Sequence, residues 1–359
     1  MQFEPLDSWL PSKSEPLLIS GPCGAESLEQ LQHTAKGLKE LNNVALFRAG
    51  VWKPRTRPNS WEGKGEEALE WLKEIKKEFG FKITVEVANS QHVEQALKYG
   101  VDVLWIGART TVNPFTVQEI ADSLKGVKIP VMVKNPIHAD LQLWIGAIER
   151  ISQAGITQLA AIHRGFHFYG KTKYRNKPLW QIPIELRTLF PGLPIICDPS
   201  HISGNRELIQ YVAQKALDLG MNGLMIESHY NPIMALSDAQ QQLTPAQLAE
   251  VLSKLIIRKE LGENIVKDKL VELRKLIDEI DDDIINSLKK RIQVIEKIGT
   301  YKKEHNITIF QLERWQEILR TRGQWADTMG LSRQHIEKIC QLLHEESIRV
   351  QNGLMNKNN

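Results

Sequence analysis

Three side chains able to bind a divalent transition metal stand close together between residues 194 and 238. They are His201 in the run Asp198-Pro199-Ser200-His201, Glu227 in Glu227-Ser228-His229, and Asp238 in the loop that follows. Each run closes a short apolar segment, Pro194 to Cys197 and Gly223 to Ile226, and a helical pattern from Asn205 to Leu219 joins the two. That order is a βαβ unit with parallel strands. In parallel α/β proteins ligands collect where strands end, and imidazole with carboxylates suits a borderline metal. A lone strand-end His is commonly a hydrogen-bonded structural residue; three candidates at successive strand ends point to a metal. Cys23 follows Gly21-Pro22 at the end of another apolar run and by itself reads as a small core residue. At the same mouth it supplies a fourth ligand, and the mixed Cys/His/Glu/Asp set fits Mn, Fe, Co or Zn and is too soft to favour Mg or Ca.

Cations recur at the same level of the pattern: Arg48 after ALF, Arg109 after WIGA, Lys134 after VMV and Arg164 after AAIH. Any one of them could be a solvated or salt-bridged residue. Together they make a field of one sign, which suits a phosphorylated, carboxylated substrate. Lys53-Pro54-Arg55-Thr56 adds a stiff turn with two more cations and room for a second phosphate.

The elements that must position these residues are eight runs: LLIS (17–20), ALFRAG (45–50), ITVEV (83–87), VLWIGA (103–108), VMVK (131–134), QLAAIH (158–163), PIIC (194–197) and GLMIES (223–228). Helical patterns such as Leu28 to Leu41, Glu66 to Phe79 and Leu141 to Gln153 alternate with them. Eight βα repeats match a (β/α)8 TIM barrel, whereas an open doubly wound sheet normally has fewer strands. Beyond Gly262 no strand run remains. Lys269 to Lys303 is one long periodic helix, with Leu270, Leu273, Ile277, Ile280, Ile284 and Leu288 at three- and four-residue steps, and helices over Leu312 to Gly323 and Ser332 to Gln351 follow. We expect a barrel over 1–261, a linker over 262–268 and an all-α domain over 269–359. A helix of that length needs a partner, so a helical hairpin or a homodimer is expected.

Composition sets the outer limits. With 359 residues and 42% hydrophobic content the chain can bury one large core and a second, smaller one. A formal net charge of +3 gives no reason to propose nucleic acid or a polybasic membrane anchor. Cys23, Cys197 and Cys340 are few and far apart, as in a reducing compartment. The first residues lack a basic region followed by an apolar run, and no apolar stretch approaches the length of a membrane span, so a cytoplasmic protein is expected.

GPC, KPRT, IGART, the strand-end Lys134, DPSH and the ESH…D spacing occur in this chain in the order found in the type I 3-deoxy-D-arabino-heptulosonate-7-phosphate (DAHP) synthases of the compact β subgroup. The stretch from Leu17 to about Lys259 resembles that family. The resemblance implies an aldol-like condensation of phosphoenolpyruvate with erythrose 4-phosphate. It places Cys23, His201, Glu227 and Asp238 on the metal ligands. Arg48, Lys53, Arg109, Lys134 and Arg164 fall on phosphoenolpyruvate contacts, Arg55 and Thr56 on erythrose 4-phosphate contacts, and Glu86 on an acidic position near the reacting carbon. Lys134 either donates a proton to the aldehyde oxygen or acts by charge alone. The chain departs from the family in His163, where an acid usually precedes the Arg-Gly of the sixth strand, and in Thr110-Thr111, where Asn is frequent. The 3-deoxy-octulosonate 8-phosphate synthases share the fold, but many carry Asn in place of Cys23 and they lack the KPRT run.

In the tail, Arg274, Arg291, Lys302 and Arg314 read from spacing as a solvated face or a passive dimerising helix. Taken with Ser347 and Gln351, the stretch from about Leu270 to Gln351 resembles the all-helical chorismate mutases. The resemblance implies that Arg274, crossing from a partner chain, binds substrate carboxylates with Arg291 and Arg314. Lys302 and Gln351 would meet the ether oxygen, and Ser347 would line the pocket. Trp315 stands where that family usually has glutamate, and Gln311 where it has aspartate. The reading is therefore a bifunctional shikimate-pathway enzyme; the alternative is a synthase whose tail only senses chorismate or prephenate and dimerises. Only sixteen residues precede the first strand, so the tail is the expected sensor, with prephenate as feedback effector.

Overall fold

The eight runs form eight parallel strands that close into a barrel in chain order: β1 (Leu17–Gly21), β2 (Val44–Ala49), β3 (Lys82–Val87), β4 (Val103–Ile106), β5 (Val131–Lys134), β6 (Leu159–His163), β7 (Ile195–Cys197) and β8 (Gly223–Glu227). The computed structural model describes residues 1–10, 16–53, 61–258 and 264–356. β1 shuts the ring against β8, with Gly21 opposite Glu227. Strand side chains alternate between two cores. Leu46, Val103, Met132, Ile162, Ile196 and Met225 fill the barrel interior, while Phe47, Val85, Leu104, Val133 and Leu224 face the helices.

Two residues further along several inward rows the chemistry changes from apolar to charged, Leu46 to Arg48, Met132 to Lys134, Ile196 to Asp198 and Met225 to Glu227, and on β3 the polar Thr84 is followed by Glu86. The period of two that packs the barrel thus delivers the charges to its C-terminal end. The opposite end is closed by the short helix α1 (Leu6–Trp9), whose Trp9, with Leu10, packs into the interior cluster.

The ring of helices comprises α2 (Leu28–Glu40), α3 (Glu66–Phe79), α4 (Ser90–Lys98), α5 (Ala108–Thr111), α6 (Pro114–Ser123), α7 (Leu141–Gln153), α8 (Gln181–Leu189), α9 (Pro199–Ser203), α10 (Ile209–Asp218) and α11 (Pro245–Ser253). Side-chain caps set many of their starts, including Ser27 on Gln30 N, Asn89 on His92 N and Asp140 on Leu143 N. One expected boundary is corrected: the helix expected over Asn205 to Leu219 is α10 alone, from Ile209 to Asp218, and a separate short helix precedes it. Asp198 caps the separate short helix α9, Gly204 ends it in the left-handed region at φ 71°, and α10 begins only at Ile209.

The chain divides into two compact units, Met1–Glu260 and Leu261–Asn359. The second contains α12 (Asn264–Glu304), α13 (Leu312–Thr328) and α14 (Arg333–Met355), with α14 packed on both others. Helix α12 already includes residues 264–268, expected as linker. Helix α13 continues past Gly323 rather than ending there, and Gly323 faces α14, where a Cβ would lie 3.2 Å from Arg333 Nη1 and 3.3 Å from Glu337 Oε1. The apolar stripe Leu273, Ile277, Ile280 and Ile284 on α12 is exposed. Among the described residues, no helix is long and apolar enough to cross a membrane.

Candidate active sites

At the C-terminal end of the barrel, Cys23, Glu227 and Asp238 offer ligand atoms that all lie within 4.8 Å of one another. His201 joins them from α9, its Nε2 3.8 Å from Glu227 Oε1 and 3.9 Å from Asp238 Oδ2. Cys23 Sγ is 3.5 Å from Asp238 Oδ2 and accepts from Lys53 Nζ at 2.9 Å. Asp238 sits at φ 50°, a left-handed conformation that aspartate tolerates better than most residues. Sulfur, imidazole and two carboxylates converging without a closed set of hydrogen bonds fit a transition-metal ion, and Glu227 Oε1 is buried without a hydrogen-bond partner. Burial, with Glu227 adding to it, pushes the Cys23 thiol up to about 12. A metal must therefore displace that proton.

Around these donors the structure places residues that the sequence reading gave no role. Asp198 lies three positions before His201 and caps its helix through Oδ1; its Oδ2 is 2.8 Å from His201 Nδ1 and 2.9 Å from Lys134 Nζ. Burial opposes ionisation of Asp198, but His201 and Lys134 outweigh it and hold the carboxyl well below the usual range. Gln241 donates to Glu227 Oε2 at 2.7 Å, and Arg175 donates to Asp238 Oδ1 at 2.9 Å and to Gln241 Oε1 at 2.7 Å. A cavity of about 570 Å³ lined by Arg175, Ser203, Asp238 and Gln241 opens beside this group.

Of the cations expected at the mouth, Arg48 is 2% exposed and pairs with Glu227 at 3.2 Å, while Lys134 is 4% exposed. Both are shielded from water, so what their carboxylate partners leave uncompensated is screened less toward an incoming anion than at the surface. Arg164 Nη1 donates to Asn176 Oδ1 at 2.7 Å, and Asn176 Nδ2 donates to the backbone oxygen of His201 at 2.6 Å. One amide thus ties the Arg164 guanidinium to the helix of a candidate ligand. Burial, with Arg175 and Arg109 adding repulsion, lowers the Arg164 pKa to about 10, which leaves it charged at neutral pH. Arg109 itself, at the start of α5, is exposed. Arg55 and Thr56 lie outside the described residues. His163 faces away from the mouth, packed among Trp144, Phe166 and Trp180. Burial and Arg164 push its imidazole down to about 3, so it is neutral.

In the helical unit, Lys302, Ser347 and Gln351 are buried although most of the surrounding residues are exposed. Arg291 Nη1 donates to Ser347 Oγ at 2.8 Å, Lys302 Nζ to the Ile309 carbonyl at 2.6 Å, and Gln351 Nε2 to the Ser347 carbonyl at 3.2 Å. Gln351 Oε1 is buried without a hydrogen-bond partner. Arg314 is not drawn into this group: it is exposed and pairs with Glu317 at 2.6 Å. Arg274 precedes Arg291 by roughly 25 Å of helix rise, so it cannot serve the same pocket from the same chain. Trp315 stacks on His344 at 4.3 Å between ring centroids, an aromatic pair at a position where the family resemblance leads one to expect an acid.

Both units match families of known proteins. Residues 11–264 match the DAHP synthetase I family, and residues 273–352 match Chorismate mutase type II. The chain is 32% identical to a phospho-2-dehydro-3-deoxyheptonate aldolase of Thermotoga maritima over 66% of its own length and 68% of that protein. It is also 29% identical to a 2-dehydro-3-deoxyphosphooctonate aldolase of Helicobacter hepaticus, over 67% of this chain and 95% of the other. The crystal structure of the Thermotoga maritima phospho-2-dehydro-3-deoxyheptonate aldolase superposes with a TM-score of 0.60 at 29% identity, covering 66% of this chain and 67% of that one. The chain belongs to the DAHP synthetase I family and carries a chorismate mutase type II region at its C-terminal end.

Proposed function

We propose that the barrel condenses phosphoenolpyruvate with erythrose 4-phosphate to DAHP and phosphate, and that the helical unit rearranges chorismate to prephenate. The meeting of Cys23, His201, Glu227 and Asp238 beside the cations Arg48, Lys53 and Lys134 supports the first half most strongly. Those four residues would hold a divalent ion, one of Mn, Co, Fe or Zn, which when bound supplies Lewis acidity toward the aldehyde carbonyl.

Arg48, Lys53, Arg109, Lys134 and Arg164 would hold the phosphate and carboxylate of phosphoenolpyruvate, and Arg55 with Thr56 the phosphate of the aldehyde. The methylene carbon of phosphoenolpyruvate bonds the aldehyde carbon while Lys134, held by Asp198 at 2.9 Å, gives a proton to the aldehyde oxygen. Water adds to the former enol carbon near Glu86, and inorganic phosphate departs. In the helical unit the rearrangement is intramolecular, so residues need only confine and polarise. Arg291 and Arg314 would bind carboxylates with a partner chain's Arg274, while Lys302 and Gln351 meet the ether oxygen and Ser347 lines the wall. The exposed stripe on α12 supports a homodimer that would bring Arg274 across, and the free thiols of Cys23, Cys197 and Cys340 suit the reducing cytoplasm.

The test is turnover by the purified full-length chain. Phosphate release should require phosphoenolpyruvate and erythrose 4-phosphate, stop on chelation and return with Mn or Co. Preference for the pentose 5-phosphate taken by octulosonate synthases would reassign the barrel. Absence of prephenate from chorismate would leave the tail as a sensing and dimerising module.

A further inference from the structure

Trp105 is fully buried in β4 and belongs to the inward row of the barrel, two residues before Gly107. Three side chains given a role in the condensation touch it. Its Nε1 donates to Glu86 Oε2 at 3.0 Å, across the register pair that β3 and β4 form at these residues. The Arg48 guanidinium carbon lies 5.0 Å from the indole centroid, and Lys134 Nζ lies 5.7 Å from it. The other side of the Glu86 carboxylate is set by Gly107, where a Cβ would come within 2.0 Å of Glu86 Oε1. Glycine there leaves room for the carboxylate in the position where it bonds the indole.

We propose that Trp105 is the positioning residue of the barrel site: its ring face is the platform for Arg48 and Lys134, and its Nε1 fixes Glu86. This deepens the functional reading above and rests on it. The physical reason lies in what an aromatic face does to a buried cation. Among the described residues Arg48 has one carboxylate partner, Glu227, and its Nε and Nη1 are buried without hydrogen bonds. A second carboxylate would neutralise the guanidinium and occupy those donors. The negative face of an indole attracts the cation without consuming an N–H, so the donors stay free for the phosphate or carboxylate of the substrate. Lys134 is in the same position, with one carboxylate among the described residues, Asp198, and the same ring beside it. A residue that merely filled the core would need neither the indole N–H nor the quadrupole.

Two substitutions separate these functions in the full-length, metal-loaded chain. Trp105→Phe keeps an aromatic face and removes the donor; Trp105→Leu removes both. We expect Trp105→Phe to bind phosphoenolpyruvate within twofold of wild type by calorimetry while kcat falls about tenfold. We expect Trp105→Leu to bind it about tenfold more weakly as well. A cycle with Glu86→Gln tests the link to Glu86: adding Trp105→Phe to Glu86→Gln should lower kcat by less than twofold further. The inference is overturned if both variants melt at lower temperature but keep wild-type affinity and kcat, if phenylalanine and leucine weaken binding equally, or if the Phe and Gln effects multiply. Calorimetry reads the platform without turnover. A wild-type chain that binds phosphoenolpyruvate but releases no phosphate would therefore sink the functional reading and leave this inference to the affinity ratio of the two variants.

Discussion

Lys134 and His201 meet on one oxygen: Oδ2 of Asp198 lies 2.9 Å from Lys134 Nζ and 2.8 Å from His201 Nδ1. The carboxylate orients the imidazole so that Nε2 faces Glu227 and Asp238, and it holds the buried lysine ammonium in place. Asp198→Asn removes the charge and keeps the shape. Removing a partner of this kind typically costs about 10- to 100-fold in metal affinity. We expect a loss in that range for Mn, read by competition with a chelator, together with a fall in kcat. Unchanged affinity would mean that His201 is oriented by other contacts or is not a ligand.

His163 gives a stability signature that needs no assay of function. Its folded pKa of about 3 lies below the unfolded value of 6.5, so below pH 6.5 the unfolded chain takes up a proton that the folded chain refuses. The contribution is fully present above pH 6.5 and is lost as pH falls toward 3, by up to about 1.4 kcal/mol per pH unit. Carboxylates common to both proteins cancel when wild type is compared with His163→Phe. Between pH 6.5 and 5 the wild type should lose about 1.5 kcal/mol more than the variant in denaturant melts. Parallel pH curves would show that the imidazole is protonated in the folded protein.

How much of this was legible in the sequence differs between the two kinds of residue in the site. Cys23, His201, Glu227 and Asp238 could be read because each follows an apolar run that must be a strand, and β/α alternation puts strand ends together. Lys134 and Arg48 were legible for the same reason. Trp105, Arg175, Asn176 and Gln241 were not. Trp105 has the character of a core residue, and only its alternation with Val103 hints that it faces inward; its contacts depend on the barrel closing. Arg175 and Asn176 come from the irregular segment after β6, where no periodicity says which way a side chain points. Asp198 had a signal that could have been used, since an aspartate three residues before His201 and preceding Pro199 is the pattern of a helix cap. In the tail, the exposure of Arg314 and the stacking of Trp315 on His344 required coordinates, because helical spacing is the same for a solvated arginine and a bound one.

Lys302 is 9% exposed and donates only to the Ile309 carbonyl, so its charge has no carboxylate partner among the described residues. Such a cation suits an ether oxygen that gains negative charge as its bond breaks. Losing a donor aimed at transition-state charge costs on the order of 3 kcal/mol, about a hundredfold in rate. Lys302→Ala should lower kcat for chorismate by at least that factor, with a smaller change in KM. Chorismate turnover at the wild-type rate would show that the helical unit's pocket lies elsewhere.

Arg291, Lys302, Ser347 and Gln351 are the polar residues of the helical unit proposed above to hold chorismate, and a site that holds chorismate must also meet its product. Prephenate bound there would report that the pathway is supplied, and it can lower DAHP formation only if it prefers one of at least two states of the enzyme. Coupling of this kind is commonly about 1 to 3 kcal/mol, or roughly 5- to 150-fold in affinity. It is reciprocal in binding, so phosphoenolpyruvate should weaken prephenate binding by the factor by which prephenate weakens its own. Prephenate titrated against DAHP formation by the full-length chain should inhibit, and Arg291→Ala, which removes the guanidinium held against Ser347, should abolish inhibition while leaving basal condensation within twofold. Inhibition that survives in Arg291→Ala would place the effector site away from these residues. No inhibition in either protein would leave dimer assembly as the reason that the two units share one chain.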